Sequence, residues 1–90
     1  QAYGVSMIRL LYFSWVRERI GKAEEDIDLP DGIDTVAGLV KHLKSWNELY
    51  QSALDEEHRI RIAVNQTHAS PDQAIKDGDE IAFFPPVTGG

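Results

Sequence analysis

The sequence has 90 residues, 15 Asp+Glu against 9 Lys+Arg for a formal charge of −6, 42% apolar residues and no cysteine. That length fits one domain burying roughly 60% of the surface its unfolded chain exposes, and the missing cysteines exclude disulfides, thiolate metal sites and a cysteine nucleophile. The acidic balance speaks against nucleic acid, whose phosphates call for clustered Lys and Arg, and favours a basic partner surface.

Nothing approaches the ~20 consecutive apolar residues of a membrane-spanning helix, and no basic segment precedes an apolar one at the start. The expectation is a cytoplasmic protein with no membrane partner. Residues 1–6 precede the only methionine, Met7, and are read as an appended or disordered segment outside the fold. Residues 8–13 are a strand-like run of large apolar side chains. With Arg9 facing water, alternation sends Ile8, Leu10 and Tyr12 to the core and leaves Leu11 and Phe13 outside. Residues 14–21 read as a short helix, with Ser14 as N-cap and Gly21 as the stop. Residues 24–29 alternate acids with Ile27 and Leu29, a half-buried strand. Pro30-Asp31-Gly32 is a turn, since Pro presets φ and Gly supplies a positive one.

Thr35 caps the next helix, in which Val36, Leu39, Val40 and Leu43 form one apolar stripe. Gly38 weakens that helix by about 1 kcal/mol relative to Ala, which suits a close approach to a sheet. Ser45-Trp46-Asn47-Glu48 reads as a capping box opening a second short helix, with Trp46, Leu49, Tyr50, Ala53 and Leu54 on one face. Residues 55–58 are a polar loop. Ile60, Ile62 and Val64 alternate with Arg59, Arg61 and Ala63 as a strand. Asn65-Gln66 turns into a short strand at residues 67–69, residues 71–75 read as a one-turn helical connector, and residues 77–80 turn tightly into a last strand at 81–84. The order β, β, α, β, β, β predicts an α+β fold with one main helix on a sheet of four to five strands.

From Ile81 to Gly90 there is no charged side chain, in a chain that is 27% charged. Alternation sends Ile81 and Phe83 inward, Ala82 and Phe84 outward. Pro85-Pro86 favours an extended exit from the sheet, and residues 85–90 can reach roughly 20 Å. Gly89 and Gly90 carry no Cβ, so this end can thread a channel too narrow for ordinary side chains. The pattern suits a carboxylate that is itself the reactive group: once coupled to AMP it becomes an acyl-adenylate open to a sulfur or nitrogen nucleophile. Leu11, Phe13 and Phe84 are expected to form an exposed apolar patch beside this exit, with Arg17 at its rim to meet a partner carboxylate.

The segment from Asp77 to Gly90, with Phe83-Phe84-Pro85-Pro86-Val87-Thr88-Gly89-Gly90 at its end, resembles the C-terminal signature of the molybdopterin synthase small subunits. These belong to the ubiquitin-like β-grasp sulfur carriers. The likeness extends to residues 7–21, with Val16-Arg17-Glu18, and to Ala63-Val64-Asn65-Gln66-Thr67. It implies a β-grasp domain at residues 7–84 and a flexible tail at 85–90. It also implies a cycle in which a ubiquitin-activating-like adenylyltransferase uses ATP to adenylate Gly90 and a sulfur donor makes the thiocarboxylate. The carrier then docks on a large catalytic subunit, inserting Val87, Thr88, Gly89 and Gly90, and sulfur passes to a cyclic pyranopterin precursor to form the molybdopterin dithiolene. The implied assembly is a heterotetramer, two of each, with the catalytic base and lysines on the large subunit and no cofactor on this chain. Phe83-Phe84-Pro85-Pro86 separates this branch from thiamin-pathway carriers and ubiquitin-like modifiers, which share Gly-Gly; where the family often has an apolar residue, this chain has His68.

Other residues read as structural. His42, His58 and His68 lack ligand spacing, so no metal site is expected; the acidic turn at 77–80 lacks a calcium-loop pattern. Glu24-Glu25-Asp26 and Asp55-Glu56-Glu57 are solubilising runs that also suit basic partners. His42 is read as solvated, and Trp46 and Tyr50 as a satellite of the core. The serines form no triad and no Gly-rich nucleotide loop exists. The alternatives to molybdopterin chemistry are a thiamin-type sulfur carrier, a modifier joined to lysines, and a non-covalent binding module.

Overall fold

The computed structural model describes residues 7–55 and 59–86. Its elements are β1 (Met7–Tyr12), α1 (Ser14–Ile20), β2 (Glu24–Asp28), α2 (Val36–Lys44), α3 (Glu48–Ala53), β3 (Arg61–Val64), β4 (Thr67–His68) and β5 (Glu80–Phe84). The five strands form one sheet in the order β2-β1-β5-β3-β4. β1 pairs antiparallel with β2 and parallel with β5, while β3 is antiparallel to both β5 and β4. The predicted α+β class and mixed sheet therefore hold, with the main helix α2 and the two expected short helices, α1 and α3, covering the inner face.

Alternation decides which side chains meet those helices. Ile8, Leu10 and Tyr12 of β1 and Ile81 and Phe83 of β5 are buried, together with Val16 and Ile20, Val36, Leu39 and Leu43, and Tyr50, Ala53 and Leu54 from the helices. Tyr12 stacks on Phe83 with centroids 5.5 Å apart and meets Tyr50 edge-on at 6.5 Å.

Several local expectations are corrected. The N-cap of α1 is Phe13 rather than Ser14, and it offers no side-chain acceptor; Ser14 sits at φ 56, in left-handed backbone. Gly21 does end α1, at φ 92. Thr35 caps α2, its hydroxyl accepting from Gly38 N–H at 3.1 Å. A Cβ on Gly38 would meet Thr35 Oγ1 at 3.3 Å and Ile33 Cγ2 at 3.5 Å, so its crowding comes from the cap and not from the sheet. Ser45 closes α2 and bonds back to the His42 carbonyl. Asn47 caps α3 instead, its Oδ1 accepting from Leu49 and Tyr50 N–H. β2 ends at Asp28 and β3 begins at Arg61, after Arg59 at φ 52. Residues 71–75 are not helical. The carbonyls of Pro71 and Gln73 accept from the Ala37 and Val36 N–H groups, and Ala74 bridges Thr35. That loop therefore satisfies donors that the first turn of α2 leaves free. Residues 56–58, from the expected polar loop, lie outside the described residues.

Two carboxylates tie the sheet together. Glu25 Oε2 accepts from the hydroxyls of Tyr12 and Tyr50, each at 2.7 Å, and Oε1 takes Lys22 Nζ at 3.2 Å. Asp79, 5% exposed, accepts from Asn65 Nδ2 at 3.0 Å and Lys76 N–H at 2.8 Å, and Asn65 Oδ1 accepts from Glu80 N–H at 3.0 Å. Burial pushes both carboxyls up, but these hydrogen bonds, with the Lys22 and Lys76 charges, outweigh it and hold both below the usual range. Burial and the same Glu25 bonds raise the Tyr12 and Tyr50 phenols.

Because both carboxyls titrate lower when folded, the unfolded chain takes up protons first as pH falls. Their stabilisation is complete above about pH 5 and is lost progressively below it, through the folded-state values. Thermal unfolding followed by circular dichroism should show Tm dropping below about pH 5, with Asp79→Asn and Glu25→Gln each flattening that limb. At neutral pH, Asp79→Ala should cost about 1–3 kcal/mol, since Asn65 and Lys76 lose their buried acceptor.

Candidate functional surface

The outer face of the sheet is built by the residues that alternation leaves over. Register sets Leu11 opposite Ala82 and Ala82 opposite Ala63. One step on, the Phe13 N–H donates to the Phe83 carbonyl at 3.1 Å, which carries the β1 line past its end and brings Phe13 alongside Phe84. Phe13 is 46% exposed; Leu11, Ala82, Phe84, Pro85 and Pro86 are half-buried. The expected patch of Leu11, Phe13 and Phe84 is thus assembled, as a ridge that runs off the sheet through Pro85 and Pro86. Val87, Thr88, Gly89 and Gly90 lie outside the described residues.

Arg17 is exposed on α1, and its N–H donates to the Phe13 carbonyl at 3.3 Å. It therefore sits one turn from Phe13, at the ridge's rim, and forms no ion pair with another described residue. Arg61 is paired in register with Phe84, and the His68 ring stands edge-on to Phe84 with centroids 5.7 Å apart. Sequence reading missed Arg61 and Ala63 here and left His68 unplaced; the β3–β5 register that gathers them has no signal in either strand alone.

The other half of the same face is acidic. Arg9 Nε meets Asp26 at 3.0 Å and its Nη1 lies 4.0 Å from Glu24, with Glu80 opposite Arg9 on the other side. These exposed pairs contribute little stability, but the acids of β2 keep this edge strand from pairing with other chains. On the helical side His42, half-buried rather than solvated, takes the Trp46 Nε1 hydrogen bond at 3.2 Å. Trp46 packs on Tyr50 at 5.0 Å; Tyr50 belongs to the main core, while Trp46 is 39% exposed. No group of three or more metal-capable side chains converges among the described residues, and no described helix is long and apolar enough to cross a membrane.

A five-strand mixed sheet with its helices on one face, an apolar outer ridge and a last strand running into a charge-free end define a ubiquitin-like β-grasp domain. The model of the ThiS family matches residues 10–90, and the chain belongs to that family. It is 43% identical to the molybdopterin synthase sulfur carrier subunit of Escherichia coli, over 93% of this chain and all of that one. Among solved structures it is similar to SAMP1 of Haloferax volcanii, at 29% identity and TM-score 0.74, covering 93% of this chain and 99% of that one. Its fold also matches, at 24% identity and TM-score 0.58 over 93% of this chain and 99% of that one, a chain in the complex of subunits 1 and 2 of the Helicobacter pylori molybdopterin-converting factor.

An apolar ridge open to solvent should bind a hydrophobic dye in the native state. Phe13→Ser and Phe84→Ser should each lower the fluorescence of 8-anilinonaphthalene-1-sulfonate with the folded protein. Phe13→Ser should not lower stability and should raise it by up to about 1 kcal/mol, because it gives α1 the side-chain cap it lacks.

Proposed function

We propose that this chain is the sulfur-carrier subunit of a molybdopterin synthase, working in the cytoplasm through the carboxylate of Gly90. The observation that carries the reading is the apolar ridge of Leu11, Phe13 and Phe84 leading into a charge-free end, in a chain matched through residue 90 by the family model. In the proposed cycle a ubiquitin-activating-like adenylyltransferase lets the Gly90 carboxylate attack the α-phosphorus of ATP, releasing pyrophosphate. Sulfide-level sulfur delivered by a donor, as HS⁻, then attacks the acyl carbon, AMP leaves, and a thiocarboxylate remains.

The charged carrier docks its ridge on the large catalytic subunit, two of each forming the assembly. Val87, Thr88, Gly89 and Gly90 enter that subunit's active site, the thiocarboxylate sulfur bonds to carbon of the cyclic pyranopterin precursor, and water cleaves the acyl–sulfur bond to return Gly90 as a carboxylate; two such transfers supply the two sulfurs of the dithiolene. This chain supplies no catalytic base and binds no cofactor in this scheme. It supplies a polarisable nucleophile on a folded handle, whose docking energy orients the reacting atom. Burial of Phe13 and Phe84 against an apolar partner removes their exposed area from water. Arg17 and Arg61 at the margin are placed to meet partner carboxylates, which favours correct register more than raw affinity. The likeness to SAMP1, a small archaeal modifier protein, favours a second reading in which the same activated terminus is joined to lysines.

The test is intact-mass spectrometry after incubation with a cognate adenylyltransferase, ATP and a sulfur source. One oxygen should be replaced by sulfur at Gly90, and the product should yield the dithiolene when the large subunit and precursor are added. An unchanged mass beside a demonstrably active partner would remove the carrier reading; lysine conjugates without dithiolene would favour the modifier. Adding one residue after Gly90 should abolish the mass change without moving Tm. Phe84→Ala should weaken binding to the large subunit by at least about tenfold, the scale of a buried aromatic anchor, and unaltered affinity would sink the docking role.

A further inference from the structure

A second surface gathers the chain's cations. A cleft of about 680 Å³ lies between α2 and the β3–β4 edge. Four half-buried aliphatics, Val40, Ile60, Ile62 and Ala69, line it above Leu54 and Phe83. Of the 9 Lys+Arg in the chain, Lys41, Lys44, Arg59 and Arg61 also line it, with His68 beside them. Arg9, Lys22 and Lys76 are engaged by Asp26, Glu25 and Asp79, whereas none of the four cleft cations is ion-paired with another described residue. Asp55 is the acidic residue among the described lining. A chain of charge −6 thus concentrates positive charge along one apolar-floored groove.

The two walls differ in kind. Val36, Val40 and Lys44 are spaced four apart on α2 and Lys41 follows Ala37 by four, so one face of the helix runs the length of the cleft. Arg59 and Arg61 stand across from it, on and just before β3. A compact polyanion would satisfy the cations and leave the aliphatic floor wet. An extended acidic chain carrying apolar side chains satisfies both. We infer that this cleft docks an acidic segment of a partner protein, with aliphatic side chains laid on Val40, Ile60, Ile62 and Ala69 and carboxylates set against Lys41, Lys44, Arg59 and Arg61. Arg61 and His68 border both the cleft and the outer ridge, so the two surfaces adjoin around the β3–β4 edge. The inference stands apart from the sulfur-carrier reading, and its test uses neither Gly90 nor the large subunit.

The probe is a fluorescent synthetic peptide alternating Glu or Asp with Leu and Ile, titrated at low salt into the full chain. It should bind, shift the backbone amide resonances of Val40, Lys41, Ile62 and Ala69, and weaken as salt rises. Lys41→Glu with Lys44→Glu, and Arg59→Glu with Arg61→Glu, should each weaken it by at least about tenfold, while Phe13→Ala leaves it unchanged. The unsubstituted protein carries the resonance map if a charge reversal impairs folding. Equal binding of the Lys-for-Glu peptide would overturn the inference. So would resonance shifts confined to the outer ridge, or an all-acidic peptide or tripolyphosphate binding as tightly as the probe.

Discussion

The parallel pairing of β1 with β5 is the constraint on which the rest depends. Parallel neighbours cannot be joined by a tight turn, so everything between Tyr12 and Glu80 must be laid out around this pair. On the inner side it sets Tyr12 on Phe83, the stacked rings at the middle of the core. On the outer side the same register sets Leu11 beside Ala82 and carries Phe13 to Phe84. Core and ridge are two faces of one pairing. The Asp79 knot guards it from the far end, because Asn65 holds the Glu80 N–H and the Asp79 carbonyl accepts from Arg9 N–H at 3.0 Å. Loosening that turn shifts β5, and Pro85 and Pro86 move with it.

Positions fixed by local periodicity were legible without coordinates. Strand alternation predicted the buried Ile8, Leu10 and Tyr12 and the outward Leu11 and Phe13, and helical spacing predicted the stripe of Val36, Leu39, Val40 and Leu43, of which Val40 is half-buried. Positions decided by competition between neighbours were not. Ser45 and Asn47 both suit a cap, and the choice fell to Asn47 because Ser45 was already closing α2. Residues 71–75 carry a helical look, yet they are drawn out by bonding to the first turn of α2. The ridge followed the same division. Leu11, Phe13 and Phe84 could be placed from parity, whereas Arg61 and His68 needed the long-range register of β3 with β5 and β4.

Charge is distributed with the same economy. Glu24, Asp26 and Asp28 of β2 face solvent on an edge strand, where they oppose stray pairing; Arg9 is drawn to Glu24 and Asp26, and Lys22 to the inward Glu25. That leaves the remaining described cations to gather mainly on the opposite edge of the sheet, around β3 and α2. One edge is therefore acidic, the other basic, and the apolar ridge lies between them. In the docking proposed above, this polarity across the sheet would set which way round the partner sits, which is the contribution charge makes to recognition.

The junction of Phe13 and Ser14 shows where local stability has been given up. An N-cap position favours Ser, Thr, Asp or Asn, and replacing such a residue by an apolar one typically costs about 1 kcal/mol. Here Phe13 occupies it with no side-chain acceptor, and the serine that would have suited the role lies one residue later in left-handed backbone, a conformation costing a non-glycine residue about 1–2 kcal/mol. Moving the cap to Ser14 would relieve both penalties but would pull Phe13 out of the extended line that its N–H bond to Phe83 maintains. The aromatic ring would then leave the side of Phe84. Neither the core nor the helix gains from the observed arrangement, since Phe13 remains 46% exposed. What does gain is the ridge. The coincidence of an unfavourable cap, a strained serine and an exposed aromatic at one point of the surface is the pattern expected where a binding face is maintained against folding preference.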